Sequence, residues 1–143
     1  MASILFVCRD AREDSVLSNV VLALEMRKSG DDAAIVFTGE SLRAIAGEAR
    51  YWPPLLKART TVVGLARAGK EMGYEMTAEF DARWIDSERL LRHAASQGLP
   101  LLACPIWSRL LGVEGNLPDY MTEIALDSYL DRIRDARQVI GGF

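Results

Sequence analysis

Residues 3–8, Ser-Ile-Leu-Phe-Val-Cys, form an apolar run of the kind that a strand buried on both faces carries. A polar stretch, Arg9 to Asp14, follows it. Val16, Val20, Ala23, Leu24 and Arg27 then recur at spacings of three and four, a helical period that Asp14 or Ser15 is placed to cap and Gly30 to stop. Residues 33–37 make a second apolar run, closed by Thr38-Gly39, and residues 41–50 read as another helix. Asp86 or Ser87 opens a helix carrying Leu90, Leu91, Ala94 and Ala95, which Gly98 ends. A short apolar run, Leu101 to Ala103, leads to a short helix over residues 105–111 and a loop with Gly112, Gly115 and Pro118. Residues 120–136 have helical spacing at Ile124, Tyr129, Leu130 and Ile133, and residues 138–140 are a last strand. The middle is less regular. Tyr51-Trp52-Pro53-Pro54 breaks the pattern, and residues 55–76, with Gly64, Gly69 and Gly73, fit helix, strand or both.

Apolar strands alternating with amphipathic helices predict an α/β fold built on a mostly parallel sheet of roughly five strands. A chain of 143 residues suits a single domain spanning residues 1–143. Right-handed crossovers put Cys8 and Cys104 at the carboxyl ends of their strands, the edge where open α/β sheets bind ligands. The two thiols are therefore expected on one rim.

Cys104 has the more informative surroundings. The sequence Leu99-Pro100-Leu101-Leu102-Ala103-Cys104-Pro105 ends a strand on a thiol and follows it with a proline suited to the first position of a helix. At a helix start, backbone N–H groups and the helix dipole favour the reactive thiolate. The competing reading is plain packing, because cysteine is among the most often buried residues.

Composition adds exclusions. Hydrophobic residues make up 50% of the chain and charged ones 26%, with a net charge of −3. These are values of an ordinary globular protein, and the absence of any long basic block argues against a nucleic-acid partner. There is no apolar run long enough for a membrane span and no basic leader before the first strand. Two cysteines and one histidine make neither a disulfide scaffold nor a zinc site, so no metal or cofactor is expected, and a reducing cytoplasm suits them.

Several stretches together resemble one family. They are Ile4-Leu5-Phe6-Val7-Cys8, Ile35-Val36-Phe37-Thr38-Gly39-Glu40, Ala103-Cys104-Pro105 followed by Gly112-Val113, and Ala136-Arg137-Gln138-Val139-Ile140. In order and spacing the chain resembles the DsrE/DsrF-like proteins, which include TusD-related sulfur-relay subunits. The resemblance implies a three-layer α/β/α fold and a homo-oligomer, trimer or hexamer. It also implies a role for Cys104 as the thiol that accepts a persulfide sulfur and passes it on, a sulfurtransferase-type relay served by donor and acceptor proteins. Cys8 would then be a second thiol, either as acceptor or as the partner of a redox disulfide. Arg109, Trp107 and Thr38 are the candidate site-lining residues. A non-catalytic oligomeric binding module of the same fold, with a structural Cys104, is the alternative. The chain departs from the family between Tyr51 and Asp86.

Two other motifs fall short. The opening strand and loop resemble those of low-molecular-weight tyrosine phosphatases, but Cys-x5-Arg counted from Cys8 lands on Asp14, where a carboxylate would repel phosphate. Gly64 to Lys70 has the spacing Gly-x4-Gly-Lys of a phosphate loop, but Glu71 stands where the magnesium-ligating Ser or Thr belongs. The better reading there is a small-residue helix. His93 lies among helix residues as an isolated histidine, and Trp52 and Trp84 suit core or interface anchoring.

Overall fold

The computed structural model describes residues 3–47 and 58–141. The chain runs β1 (Ser3–Cys8), α1 (Glu13–Lys28), β2 (Asp32–Phe37), α2 (Gly39–Ile45), α3 (Arg59–Glu71), β3 (Thr77–Ala78), β4 (Asp81–Ile85), α4 (Ser87–Ser96), β5 (Leu101–Ala103), α5 (Pro105–Leu110), β6 (Thr122–Glu123), α6 (Leu126–Asp135) and β7 (Gln138–Gly141). Five strands form one parallel sheet in the order β6-β5-β2-β1-β7, while β3 and β4 pair as a separate antiparallel hairpin. The α/β class and the parallel five-stranded sheet agree with the sequence pattern. The chain steps in one direction from β1 to β6, then returns through α6 to set β7 on the far side of β1.

Alternation along the strands divides the core in two. Ile4, Phe6 and Cys8 of β1 join Ile35 and Phe37 of β2 and Leu101 and Ala103 of β5 on one face, beneath Val16 and Val20 of α1 and Leu90 and Leu91 of α4. Leu5, Ala34, Val36, Leu102 and Cys104 share the other face, where Tyr129 of α6 and Ile124 pack on them. The first face has a thick apolar cover. The second has α6, in which no residue is buried.

Some boundaries differ from the sequence reading. The expected continuous helix over 120–136 contains β6 and begins only at Leu126, because Thr122 and Glu123 extend alongside Leu102 and Ala103. The expected helix over 41–50 spans Gly39–Ile45, and residues 48–50 lie outside the described residues, as do Tyr51 to Pro54. Asp86 caps α4 as expected, its carboxylate accepting from the Arg89 N–H at 3.2 Å. The Gly64–Lys70 stretch lies within α3. Gly69 is buried there, and a Cβ at that position would come within 2.0 Å of Met76 Sδ. Its glycine is required for helix packing, which explains the phosphate-loop spacing without a loop.

Candidate functional site

Cys104 follows the last residue of β5 and is the N-cap of α5, with φ −59° and ψ 121° and Pro105 in the first turn. The backbone is fixed on both sides. Its N–H donates to the Phe37 carbonyl at 3.0 Å, extending the β2–β5 pairing, and its carbonyl accepts from Ser108 N–H at 2.9 Å. Cys104 itself is 3% exposed. Its apolar neighbours Leu5, Val36 and Leu102 belong to the thinly covered face. Burial raises the pKa of the Tyr129 phenol above its ordinary value, and the adjacent Cys104 adds to the shift.

Cys8 occupies a different environment. It packs among Ile4, Phe6 and Val16 on the thick face, with its Sγ 3.8 Å from the Asp10 carbonyl. Burial pushes its thiol up to about 12, against the opposing effect of contacts with Ser41 and Ser15. The two cysteines thus project to opposite faces of the sheet, and β2 lies between their strands. Two strand spacings amount to roughly 10 Å, beyond the ~7 Å that a disulfide can span between Cα atoms. Both thiols lie on the carboxyl rim, as the sequence predicts, but on opposite faces of the sheet. Both end their strands, but side-chain parity sends one up and the other down. In this conformation neither sulfur transfer to Cys8 nor a Cys8–Cys104 disulfide has the geometry it needs.

α5 stands between two clefts at the carboxyl edge. The larger, about 530 Å³, has Ala103, Pro105, Ile106, Ile124 and Leu126 on its walls, together with Arg109. It flanks Cys104 in the chain without including it. The Arg109 side chain is exposed, with Nε 3.9 Å from Glu114 Oε1. The smaller cleft, about 380 Å³, is lined by Trp107 and Thr38. The three candidate lining residues are therefore split, Arg109 on one side of α5 and Trp107 and Thr38 on the other. Sequence reasoning missed Tyr129, Ile124 and the smaller cleft's Arg9 and Arg43. Ile124 and Tyr129 both stand in the spacing of residues 120–136, but that spacing predicts a continuous helix and does not place them beside Cys104.

His93 is remote from this edge. It sits on α4 with Nδ1 3.9 Å from Glu75 Oε2 and its ring edge-on to Tyr74, whose hydroxyl bonds Glu25 near the end of α1. Among the described residues no cluster of acidic, histidine and cysteine side chains is arranged to hold a metal, and no helix is long and apolar enough to cross a membrane.

No protein-family profile matches the sequence, and no curated protein matches it. Among solved structures, the chain is similar to the ychN protein from E. coli, with a TM-score of 0.62 and 18% identity over 99% of this chain and 100% of that one. Likeness over the whole of both chains at so low an identity establishes a shared fold, an α/β architecture built on a mostly parallel five-stranded sheet.

Proposed function

We propose that this protein is a sulfur carrier of DsrE-like fold that uses Cys104 as its working thiol. The observation that carries the reading is the position of Cys104 at the β5–α5 junction, on the thin face and next in sequence to residues lining the larger of the two clefts beside α5. The competing thiol, Cys8, is held protonated by burial. In the reaction the Cys104 thiolate attacks the outer sulfur of a donor persulfide, R–S–SH. An S–S bond forms to Cys104 as the donor's S–S bond breaks, R–S⁻ departs, and Cys104–S–SH remains. An acceptor thiolate then takes the outer sulfur by the same step and leaves Cys104 as thiolate. Both steps are exchanges without net oxidation. The larger cleft offers the approach for donor and acceptor proteins, with Arg109 on its wall to attract an anionic persulfide.

Incubation with inorganic polysulfide followed by intact-mass measurement tests this reading. Wild type and Cys8→Ser gain one sulfur atom and lose it to dithiothreitol, while Cys104→Ser gains none. Equal loading of Cys104→Ser, or no loading of wild type, overturns it.

The burial of Cys104 favours a second reading, a non-catalytic oligomeric binding module with a structural thiol. Iodoacetamide at neutral pH distinguishes the two. Labelling of Cys104 in the folded protein supports the carrier, and protection until global unfolding supports the module.

Both readings include a homo-oligomer, trimer or hexamer, in a reducing cytoplasm. Exposed Leu110, Leu126, Ile133 and Val139 on α5, α6 and β7 support self-association over the thin face. Light scattering coupled to size exclusion measures the stoichiometry, and a monomer at micromolar concentration overturns it.

A further inference from the structure

The smaller cleft opens at the carboxyl ends of β1 and β2, the edge of the sheet at which open α/β folds hold ligands, and is closed by α5, while the strand order reverses one position away, between β1 and β7. Three chemistries meet in it. Trp107, 40% exposed, and Leu111 supply an apolar wall. Arg9 and Arg43 bring guanidinium groups, and Asp10 and Glu40 bring carboxylates. Arg43 Nη1 lies 3.8 Å from Glu40 Oε1, whereas Arg9 makes no ion pair among the described residues. Thr38 is the N-cap of α2, where a threonine hydroxyl ordinarily accepts from the first turn, yet it makes no capping bond here.

These groups stand on a fixed backbone. The Thr38 N–H donates to the Cys8 carbonyl and the Ser41 N–H to the Arg9 carbonyl, both at 3.0 Å. The Ser41 hydroxyl bonds the Cys8 and Thr38 carbonyls. Gly39 turns the chain at φ +55°, a conformation that a side chain disfavours.

We propose that this cleft binds a nucleoside monophosphate. The phosphate pairs with Arg9 and Arg43 and accepts from the Thr38 hydroxyl, the base lies against the Trp107 indole, and the ribose hydroxyls donate to Asp10 and Glu40. Each part of the ligand answers a feature that a simpler one leaves unused. Free phosphate gains the guanidinium groups but brings its full charge up to two carboxylates and leaves the indole uncovered. A neutral nucleoside uses the indole and leaves Arg9 unpaired. The cleft volume, about 380 Å³, is that of a small-ligand site. The assignment is independent of the role of Cys104, which does not line this cleft.

The test is calorimetric titration of the full chain with adenosine monophosphate, followed in parallel by indole fluorescence, with adenosine and inorganic phosphate as controls. Saturable binding is expected, weakened about tenfold or more by Arg9→Gln, the size of one lost charge-assisted hydrogen bond. Trp107→Phe loses most of the fluorescence response, and both controls bind at least about tenfold more weakly than the nucleotide. Unchanged melting temperatures establish that the variants fold. No saturable heat at millimolar nucleotide, equal affinity in Arg9→Gln, or phosphate alone binding as tightly as the nucleotide overturns the proposal.

Discussion

The two faces of the sheet treat the same residue type in opposite ways. On the thick face Cys8 ends β1 beneath α1, and burial raises its thiol to about 12. On the thin face Cys104 follows β5, where among the described residues Ile124, Tyr129 of α6 and Ala136 pack on the strands around it. The contrast shows that the end of a strand does not by itself make a thiol useful. Side-chain parity decides which layer the thiol enters, and the thickness of that layer decides what it meets there. One residue of register would exchange the two environments.

The largest expected effect comes from the thick face. Phe37, fully buried in β2, loses its whole ring in Phe37→Ala, and chemical denaturation is expected to show a loss of about 3–5 kcal/mol. On the thin face the half-exposed Leu126→Ala is expected to cost less than about 1 kcal/mol. Equal losses would mean that α6 is as firmly packed as α1 and would remove the contrast.

Next in size is the pH dependence of stability. The Cys8 thiol titrates near 9.0 when unfolded and about 12 when folded. Between these values the unfolded chain releases a proton that the folded chain retains, so stability falls as pH rises above about 9, by at most about 1.4 kcal/mol per unit. Below about 9 the contribution is fully present. Cys8→Ala is expected to flatten this alkaline limb in urea titrations at pH 8 to 11, and a limb equally steep in the variant would show that other groups cause it. The same protonation lowers the reactivity of Cys8, so iodoacetamide is expected to modify it only on unfolding.

The smallest effect sharpens the comparison at its edge. Asp86→Ala removes the cap of α4, a helix of the thick layer, at an expected cost of about 1 kcal/mol in thermal melts. An effect below about 0.3 kcal/mol would show that tertiary packing alone fixes the start of that helix.

Much of this architecture was legible because burial on both faces writes continuous apolar runs, as in residues 4–8 and 33–37. The helices over the thick face carry the matching three-and-four period, as at Leu90, Leu91 and Ala94. β6 was illegible for the same physical reason. Its Thr122 and Glu123 are exposed edge residues, held by the neighbouring strand rather than by their own composition. Residues 58–86 were ambiguous because α3 buries small residues such as Ala66 and Gly69, and its partner hairpin exposes Ala82, Arg83 and Trp84. At the candidate site, Cys104 and its helix start were readable from Ala103-Cys104-Pro105. The opposition of the two thiols was not, because it depends on the strand order and register of β1, β2 and β5. Arg9 and Arg43 escaped notice because arginines far apart in sequence meet only where the end of β1 and the start of α2 come together at the carboxyl edge.

The pairing of β1 with β7 has a consequence for how the molecule comes into being. Ile4 faces Gln138 across a parallel ladder, so β1 leaves the ribosome well before the strand it pairs with on that side. At ordinary elongation speeds that wait is on the order of ten seconds, far longer than helix formation or chain collapse. Throughout it, one edge of β1 presents unpaired amides and carbonyls beside Leu5 and Phe6, a template for any extended strand nearby. Completing the sheet therefore waits for β7, and the interval before it is when this part of the nascent chain is most exposed to pairing with the wrong neighbour.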